Sequence, residues 1–457
     1  MTLTRKQLLK AMAGAGAAVM VTPQAHASSG RVIQRDVCVI GGGASGSYAA
    51  VRLRDLGRSV VVVEREDRLG GHTETFRDPV TGGTADIGVV GYHDIPLVRR
   101  HFGRFDVPLS FAQTNPGTIR FADYRTGLPV DNYRMPPMSR LAEYAEVLEQ
   151  YPYLEDGPDL PNPVPPELVA PFTDLMVKHG FADLAPLLYL VSQGRSDLFD
   201  LPALYEMKYL NGPAVHGMLN QTTVTTSRRD NSELYEKITT HLGDDVLLNA
   251  TVTEVSRERA GVQVLVSTPH GPRTIRARRL VVTVPPLLAN LARFDLDSTE
   301  RALFSRFSPG GYYTSVLRLP GVAQVPIQNV SADAARQHMP TMPGLYLLAA
   351  TGIPDIFIAY YGSSRPLPEA RVRADILAAL GRLQSTRVLP ATQPRFEMFA
   401  SHAPFLLSVS GRDIAGGFYR RLSALQGRHN TFYTGAAFHT NDSTLLWRFT
   451  ESLLPRI

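Results

Sequence analysis

The chain has few of the residues that support disulfide, metal or nucleic-acid chemistry. Cys38 is the only cysteine among 457 residues, so no internal disulfide forms and no cysteine-based metal site is expected. Basic residues form no block, and a net charge of +5 does not indicate nucleic-acid binding, although it favours the approach of an anionic substrate. No segment has the length and hydrophobicity of a stable membrane span. The length predicts two domains, and 44% hydrophobic residues are typical of a globular protein.

The first 27 residues predict an export signal rather than part of the fold. A charged start at residues 4–10 precedes a short apolar stretch at 11–21, and Ala25-His26-Ala27 offers a cleavage site. The pattern resembles a twin-arginine signal in which Lys6 replaces the second arginine. We therefore expect a periplasmic or secreted protein that uses twin-arginine-type machinery. A Sec signal or an uncleaved tail is the alternative.

The most informative motif follows an apolar run at residues 37–40 that predicts a buried strand. Gly41, Gly43 and Gly46 then form G-x-G-x-x-G. The first glycine permits a tight turn, the second permits backbone to approach a pyrophosphate, and the third permits close helix–strand packing. The motif predicts a dinucleotide-binding turn.

The residues after the glycines complete the pattern. A helix predicted over residues 47–56 would direct its N-terminus at the phosphates, where free N–H groups favour anions. Val60–Val63 predicts the next strand. Glu64 ends it, at the distance from Gly46 where a ribose-binding carboxylate is expected. Together these elements predict a Rossmann-type domain.

A second glycine pair favours FAD over NAD. Gly70-Gly71 follows Glu64 closely and would let another stretch of backbone approach the diphosphate. This arrangement resembles the GG doublet of FAD enzymes in the amine oxidase and phytoene desaturase superfamily. His72 stands where that superfamily usually carries arginine. The segment from Asp86 to Gly88 is similar to its acid-x-Gly segment, which passes beside the flavin ring.

The closing segment also resembles that superfamily. A short strand pattern ends at Gly435, and the cluster 441–443 predicts the cap of a last helix. In the superfamily the glycine approaches the ribityl chain, and the helix N-terminus points at the flavin N1/C2 region, where it stabilises the negative charge of reduced flavin. Ala436 replaces the acid that amine oxidases usually carry.

The resemblance implies an α/β protein with a discontinuous Rossmann-type FAD-binding domain and an inserted α+β substrate domain. The predicted FAD-binding parts are residues 33–110, 228–300 and 425–457, and the substrate parts are 111–227 and 301–424. Val252 matches a residue whose backbone contacts adenine. The residues expected to contact FAD are Gly41, Gly43, Ala44, Ser45, Gly46, Glu64, Arg65, Gly70, Gly71, His72, Thr73, Gly88, Val89, Val90, Val252, Gly435, Ser443, Thr444 and Leu445.

Three segments, at residues 70–75, 90–93 and 435–439, are similar to the fungal β-cyclopiazonate dehydrogenase group, which performs an FAD-dependent oxidative C–C bond closure. A more distant similarity is to polyenoic fatty acid isomerase, in which FAD moves a double bond by hydride removal and return. These resemblances imply hydride transfer from a substrate C–H to flavin N5, with oxygen or another electron acceptor completing the cycle.

The reaction residues are predicted less directly than the cofactor site. Tyr92 and His93 follow the segment expected beside the flavin, and histidine suits proton transfer near neutral pH. A structural loop role is the alternative, and His402 and His439 are weaker candidates. The aromatic pair Tyr312 and Tyr313 is expected to form pocket walls.

The strand region around that aromatic pair lacks the lysine that amine oxidases often carry near N5, which argues against simple amine oxidation. Three functions stay open at this point. They are an FAD oxidase or dehydrogenase, an FAD-dependent isomerase of unsaturated fatty acids, and a non-catalytic flavin-binding protein.

Overall fold

A computed structural model describes residues 31–112, 118–192, 194–334 and 337–457, so the predicted export signal lies outside the described residues. The strands within these ranges are β1 Arg31–Ile40, β2 Val60–Val63, β3 Thr75–Arg77, β4 Thr84–Asp86, β5 Leu109–Phe111, β6 Arg120–Asp123, β7 Leu128–Pro129, β8 Val224–Thr226, β9 Val246–Leu247, β10 Thr251–Glu258, β11 Gly261–Thr268, β12 Gly271–Val282, β13 Ser308–Arg318, β14 Ile327–Asn329, β15 Gly344–Ala350, β16 Ile356–Ser363, β17 Arg395–Ser401, β18 Phe405–Ser408 and β19 Thr431–Tyr433.

The helices in the same ranges are mostly short, and the longest packs on the second of two large sheets. They are α1 Ala44–Asp55, α2 Pro96–Arg104, α3 Leu141–Leu148, α4 Pro166–Val169, α5 Phe172–Lys178, α6 Ala185–Val191, α7 Ala203–Tyr209, α8 Gly212–Leu219, α9 Ser232–Leu242, α10 Ser298–Phe304, α11 Glu369–Ser385, α12 Gly411–Ala415, α13 Phe418–Ser423 and α14 Ser443–Leu453.

The first large sheet is built around β1, whose last four residues are buried on both faces. β1 runs parallel to β2 on one side and to β12 on the other, and β9 continues the sheet beyond β2. The end of β12 pairs in parallel with β19, while its first half joins the antiparallel pair β10–β11. Burial on both faces explains why these parallel strands are continuous apolar runs rather than alternating patterns.

Helix α1 starts directly after Gly43, earlier than the sequence pattern predicted, and ends before Gly57, whose φ of +77° suits a helix stop. Helix α14 packs against α1, and the Trp447 indole donates a hydrogen bond to the Ala44 carbonyl at 3.1 Å. This pairing places the N-termini of the first and last helices next to one another at the carboxyl ends of β1 and β19.

The second large sheet has the order β17-β13-β16-β15-β14-β6-β7, with β18 also paired to β13. Helix α11 covers one face, because Val372, Ile376, Leu380 and Leu383 recur at helical spacing and are fully buried. The other face turns towards the first sheet. The two sheets draw on alternating segments of the chain, which confirms the predicted fold class of a discontinuous FAD-binding domain with an inserted substrate domain.

Two segments depart from what their local sequence suggests. The apolar run at 246–255 is divided into β9 and β10, because Asn249 adopts a φ of +51° and turns the chain between them. The proline-rich region at 320–343 contains β14, which pairs in parallel with β6. A strand of three residues is too short to show an alternating hydrophobic pattern in the sequence, and its pairing partner is distant in the chain. Within the described ranges, no helix combines the length and hydrophobicity needed to cross a bilayer.

Candidate active site

A cavity of about 1800 Å³ runs from the carboxyl ends of the first sheet to the uncovered face of the second. Gly43, Gly71 and Ser443 line one part, and Tyr312 and Tyr346 line another. Pockets for ordinary small ligands have volumes of roughly 300–1,000 Å³. The cavity therefore has room for a dinucleotide and a second molecule.

The first glycine motif forms a turn that packs tightly against α1 on one side and borders the cavity on the other. A Cβ atom at Gly46 would lie 1.9 Å from the Gly41 carbonyl oxygen, so α1 packs against the turn too closely for any side chain. At Gly43 a Cβ would meet only the Gly71 Cα, at 3.8 Å. The Gly42 N–H donates to the Glu64 carboxylate at 2.6 Å, which anchors the turn to the end of β2.

The second glycine pair lies directly against the first motif. The Gly70 N–H donates to the Gly42 carbonyl at 2.9 Å, and Gly70 and Gly71 have φ values of +113° and +55° that favour glycine. Arg68 supports the pair by donating to the Gly71 carbonyl at 3.0 Å and pairing with Glu74 at 2.7 Å. The sequence motifs did not indicate Arg68. We call the two glycine motifs together the glycine cradle.

The acid-x-Gly segment is held against the cradle. A Cβ at Gly88 would lie 1.7 Å from the His72 carbonyl oxygen, so only glycine fits there. The Asn231 N–H donates to Asp86 and its side-chain amide donates to the Val89 carbonyl, both at 2.8 Å. Asn231 therefore positions this segment, although it stands at the N-cap position of α9. Burial raises the pKa of Asp86 to about 6, and hydrogen bonds from Thr75 and Asn231 limit the rise.

The closing helix presents its N-terminus to the same cavity. The Asp442 carboxylate caps α14 by accepting from the Leu445 N–H at 2.9 Å, and Ser443 lines the cavity. At Gly435 the φ is +105°, and a Cβ would lie 2.9 Å from the Thr283 carbonyl oxygen. The predicted cap is thus present, on a helix directed at the space beside the cradle.

Most residues predicted for FAD lie on the cavity wall, but three do not. Gly46 faces the Gly41 carbonyl, the Thr444 hydroxyl accepts from the His93 N–H, and Leu445 is fully buried. The predicted residues that line the cavity are Gly41, Gly43, Ala44, Ser45, Glu64, Arg65, Gly70, Gly71, His72, Thr73, Gly88, Val89, Val90, Val252, Gly435 and Ser443.

The structure does not place Tyr92 or His93 on the cavity wall, and their predicted role in proton transfer stays a prediction. The Tyr92 ring is buried and stacks on Trp447, with ring centroids 5.5 Å apart. The His93 Nε2 lies 3.5 Å from the Asp442 carboxylate. Burial opposes protonation of His93, but the Asp442 charge outweighs it and raises the pKa of the imidazole. Both side chains support the start of α14 because the loop that carries them packs behind it.

An aromatic wall, formed by Tyr312, Tyr346, Tyr360, His402 and Phe405, lines the cavity. The His402 ring lies 5.0 Å from the ring of His72, the residue after Gly71, so the wall adjoins the cradle. The Tyr312 ring lies 5.3 Å from His402 and 4.9 Å from Phe405, measured between centroids. The wall side chains come from β13, β15, β16, the start of β18 and, for His402, the turn directly after β17.

Tyr313, predicted to be part of the pocket, faces away from it. Successive side chains of a strand point to opposite faces, so the residue after Tyr312 projects into the core beneath α11. Its hydroxyl donates to the Leu367 carbonyl at 3.1 Å. The prediction was right for Tyr312 as a wall residue and wrong for Tyr313.

His402 is the titratable group of the aromatic wall. Its Nε2 lies 3.0 Å from the Thr314 hydroxyl, and its Nδ1 is buried without a hydrogen bond in the part of the chain that the structure describes. Burial, together with the nearby His72, holds the pKa of the His402 imidazole well below its usual range. The neutral imidazole ring of His402 therefore lines the cavity, beside the Ile87 backbone. His439, by contrast, does not line it and contacts the Glu155 carbonyl at 3.2 Å.

The carboxylates on the described cavity wall are all engaged by partners. Glu64 accepts backbone N–H groups, and Asp86 is held by Thr75 and Asn231. Arg65 pairs with Glu66, Arg68 with Glu74, and His93 with Asp442. A cationic amine in the aromatic part of the cavity would thus find no free carboxylate among the described residues.

The cradle, with its open edge at Gly43 and a helix N-terminus beside it, fits FAD, and the aromatic wall fits a substrate. These parts define a flavin-dependent oxidoreductase. The chain belongs to the family described as flavin containing amine oxidoreductase, whose model matches residues 44–316.

Two curated relatives and one solved structure resemble almost the whole chain. The FAD-dependent oxidoreductase oblC of Cochliobolus heterostrophus is 36% identical over 442 residues, covering 93% of this chain and 92% of the relative. The beta-cyclopiazonate dehydrogenase of Aspergillus oryzae is 32% identical over 430 residues, covering 93% of each. A fatty acid isomerase from P. acnes that produces CLA has a TM-score of 0.73 at 19% identity, covering 93% of this chain and 98% of its own. The chain is an FAD-dependent oxidoreductase of this family.

Proposed function

We propose that the chain oxidises an apolar, neutral or anionic organic molecule by removing a hydride from one of its C–H bonds. The observation that carries this proposal is the continuity of the cavity between the glycine cradle and the aromatic wall. When bound, FAD supplies the hydride acceptor. The residues of the chain hold the two molecules against each other and exclude water from the space between them.

Each part of the site has a role in this proposal. Gly43 and Gly71 admit the diphosphate to the backbone, and the N-terminus of α14 at Ser443 stabilises negative charge nearby. Tyr312 and Phe405 hold the apolar body of the substrate. His402, whose neutral imidazole lines the wall, accepts a substrate proton, or a hydrogen bond, when a heteroatom or acidic carbon loses a proton.

The residues that line the cavity favour a substrate without an ammonium group. The engaged carboxylates leave nothing to pair with an ammonium group, and β13 carries no lysine beside Tyr312. A relative is named as a dehydrogenase of beta-cyclopiazonate, which supports a secondary metabolite over a simple amine. Solved structures with a similar fold include amine oxidases and a fatty acid isomerase, so the isomerase is retained as the second candidate.

The test is an absorbance spectrum of the purified protein, followed by a substrate panel in the absence and presence of oxygen. We expect flavin bands that bleach anaerobically with substrate and recover with oxygen or another acceptor. Turnover without any acceptor would identify the isomerase instead. Bound FAD that no compound of a broad panel bleaches would contradict both enzyme functions and indicate a flavin-binding protein.

We further propose that the chain is exported by a twin-arginine-type route, supported by the charged start at residues 4–10 and the Ala25-His26-Ala27 site. The full chain, expressed in a bacterium with this route, should be found with FAD in the periplasm. Replacing Arg5 with Gln should leave it in the cytoplasm, while Lys10→Gln serves as the matched control. Periplasmic protein from the Arg5 variant would contradict the route.

A further inference from the structure

Arg229 stands out among the charged residues that line the cavity. Arg65 and Arg68 also line it, but each is paired with a glutamate. Arg229 is exposed and makes no ion pair or hydrogen bond through its side chain in the part of the chain that the structure describes. Arg293 also has no side-chain ion pair or hydrogen bond among the described residues, but the adjacent Phe294 bridges Val255 on β10, the strand that carries Val252, which is expected at the adenine.

The backbone at Arg229 is one that arginine adopts reluctantly. Its φ is +52°, in the left-handed region where glycine and asparagine are favoured. The turn is held by the Arg229 N–H, which donates to the Thr226 carbonyl at 2.9 Å, and by the Asp230 N–H, which donates to the Thr226 hydroxyl at 2.8 Å. Arg387 and other non-glycine residues share this conformation, so the case for a function rests on the free guanidinium of Arg229 and not on its backbone.

The turn is attached to the segment expected beside the flavin. Asn231, two residues after Arg229, donates to Asp86 and to the Val89 carbonyl, both at 2.8 Å. Arg229 is close enough to favour the charged form of Asp86, but the hydrogen bonds of that carboxylate go to Thr75 and Asn231. The guanidinium donors therefore stay available at a fixed place on the cavity wall.

The surroundings of Arg229 combine a cation with apolar surface. Val90 follows the anchored Val89, lines the cavity and is 54% exposed. Leu187, Met218 and the aromatic wall line the same cavity. A free guanidinium binds a carboxylate through paired N–H donors, and the apolar interior takes a hydrocarbon or ring system.

We infer that Arg229 is the specificity residue for the acidic group of an amphipathic substrate, whose apolar part extends into the aromatic wall. This inference rests on the proposed function, and it narrows the substrate from neutral or anionic molecules to those with a carboxylate or an equally acidic group. Arg229 does not act on the reacting C–H. It sets which molecules enter and how far they reach.

The test is calorimetric titration of the FAD-loaded protein with decanoate, 1-decanol, decylamine and acetate. We expect decanoate to bind at least tenfold more tightly than decanol or decylamine, and acetate not to bind, because both the charge and the chain are needed. Arg229→Gln should weaken decanoate binding by about tenfold to a hundredfold, as expected for loss of a charged hydrogen bond, and leave decanol unchanged. Arg229→Lys should keep part of the preference.

Two further variants distinguish the loss of the Arg229 charge from a structural effect of the substitution. Arg228→Gln removes a neighbouring exposed arginine that pairs with Glu233 and does not line the cavity, so its decanoate affinity should match the parent. Arg229→Gly suits the left-handed backbone, so it should keep or raise the melting temperature while losing the preference for decanoate.

The inference is overturned if the FAD-loaded protein ignores decanoate, if Arg229→Gln binds it like the parent, or if Arg228→Gln weakens binding equally. A protein that holds no FAD at all would contradict the proposed function first. A protein that holds FAD, bleaches with a neutral substrate and ignores decanoate would contradict only the role of Arg229.

Discussion

Replacing Gly43 with valine should yield a folded protein that retains no FAD. Gly43 has extended backbone, with φ −69° and ψ −168°, which any residue adopts. A Cβ there would meet only the Gly71 Cα at 3.8 Å, so the fold tolerates the side chain. The two methyl groups would instead occupy the edge of the cradle where the pyrophosphate approaches the backbone. The measurement is the ratio of flavin to protein absorbance after purification, together with the melting temperature.

Gly46→Ala is the matched control for this prediction. Its Cβ would lie 1.9 Å from the Gly41 carbonyl oxygen, so α1 must move away from the turn. We expect a loss of stability of about 1–3 kcal/mol or more, accompanied by loss of flavin. Gly43→Val should lose flavin alone. A Gly43 variant with full flavin absorbance would refute the assignment of the cradle.

Replacing His402 with alanine should slow anaerobic flavin reduction by roughly 10²–10⁴-fold while FAD stays bound, the range typical of a lost acid–base group. The neutral imidazole of His402 lines the aromatic wall, and it does not belong to the cradle. The measurement is the reduction rate in stopped flow with a substrate found in the panel. His402→Asn, which keeps a hydrogen-bonding amide but no base, should be nearly as slow.

The same role for His402 predicts how the rate of flavin reduction changes with pH. A base acts in its neutral form, and burial lowers the pKa of His402 below the ordinary value of about 6.5. The parent rate should therefore be flat above pH 6.5 and fall only at lower pH, as the imidazole takes up a proton. His93→Ala, which removes a side chain outside the cavity, should leave the reduction rate within a few-fold. A His402 variant as fast as the parent, or a stronger effect at His93, would show that the proton-transfer group lies elsewhere.

The cofactor half of the site could be predicted because its signals are local. Gly41, Gly43, Gly46 and Glu64 lie between β1 and the end of β2. The residue type at each position is required by contacts with residues a few positions away or with the next strand. The burial of β1 and β2 and the close packing at Gly46 agree with those local requirements. The predicted cap at Asp442 was also correct, because a cap is a contact within one helical turn.

The substrate half could not be predicted in the same way. His402 reaches the cavity because β17 and β18 pair with β13, and it packs beside Gly88, more than three hundred positions earlier in the chain. Asn231 has the sequence environment of a helix cap, yet its side chain bonds to Thr226 and Val89. No local sequence pattern predicts these contacts of His402 and Asn231, because the residues that they contact are brought to them by the packing of distant helices and strands.

By itself the sequence indicated a Rossmann-type core, since this depends on turn geometry and on apolar runs that suit buried strands. Its resemblance to the FAD superfamily implied the cofactor class and the discontinuous arrangement of the domains. Only the tertiary structure decided which side chains face the substrate. Tyr312 lines the cavity and Tyr313 does not, because the orientation of β13 between α11 and the cavity selects one of two alternating faces. The same packing places His402 and Arg229 on the cavity wall and leaves Tyr92 and His93 outside it.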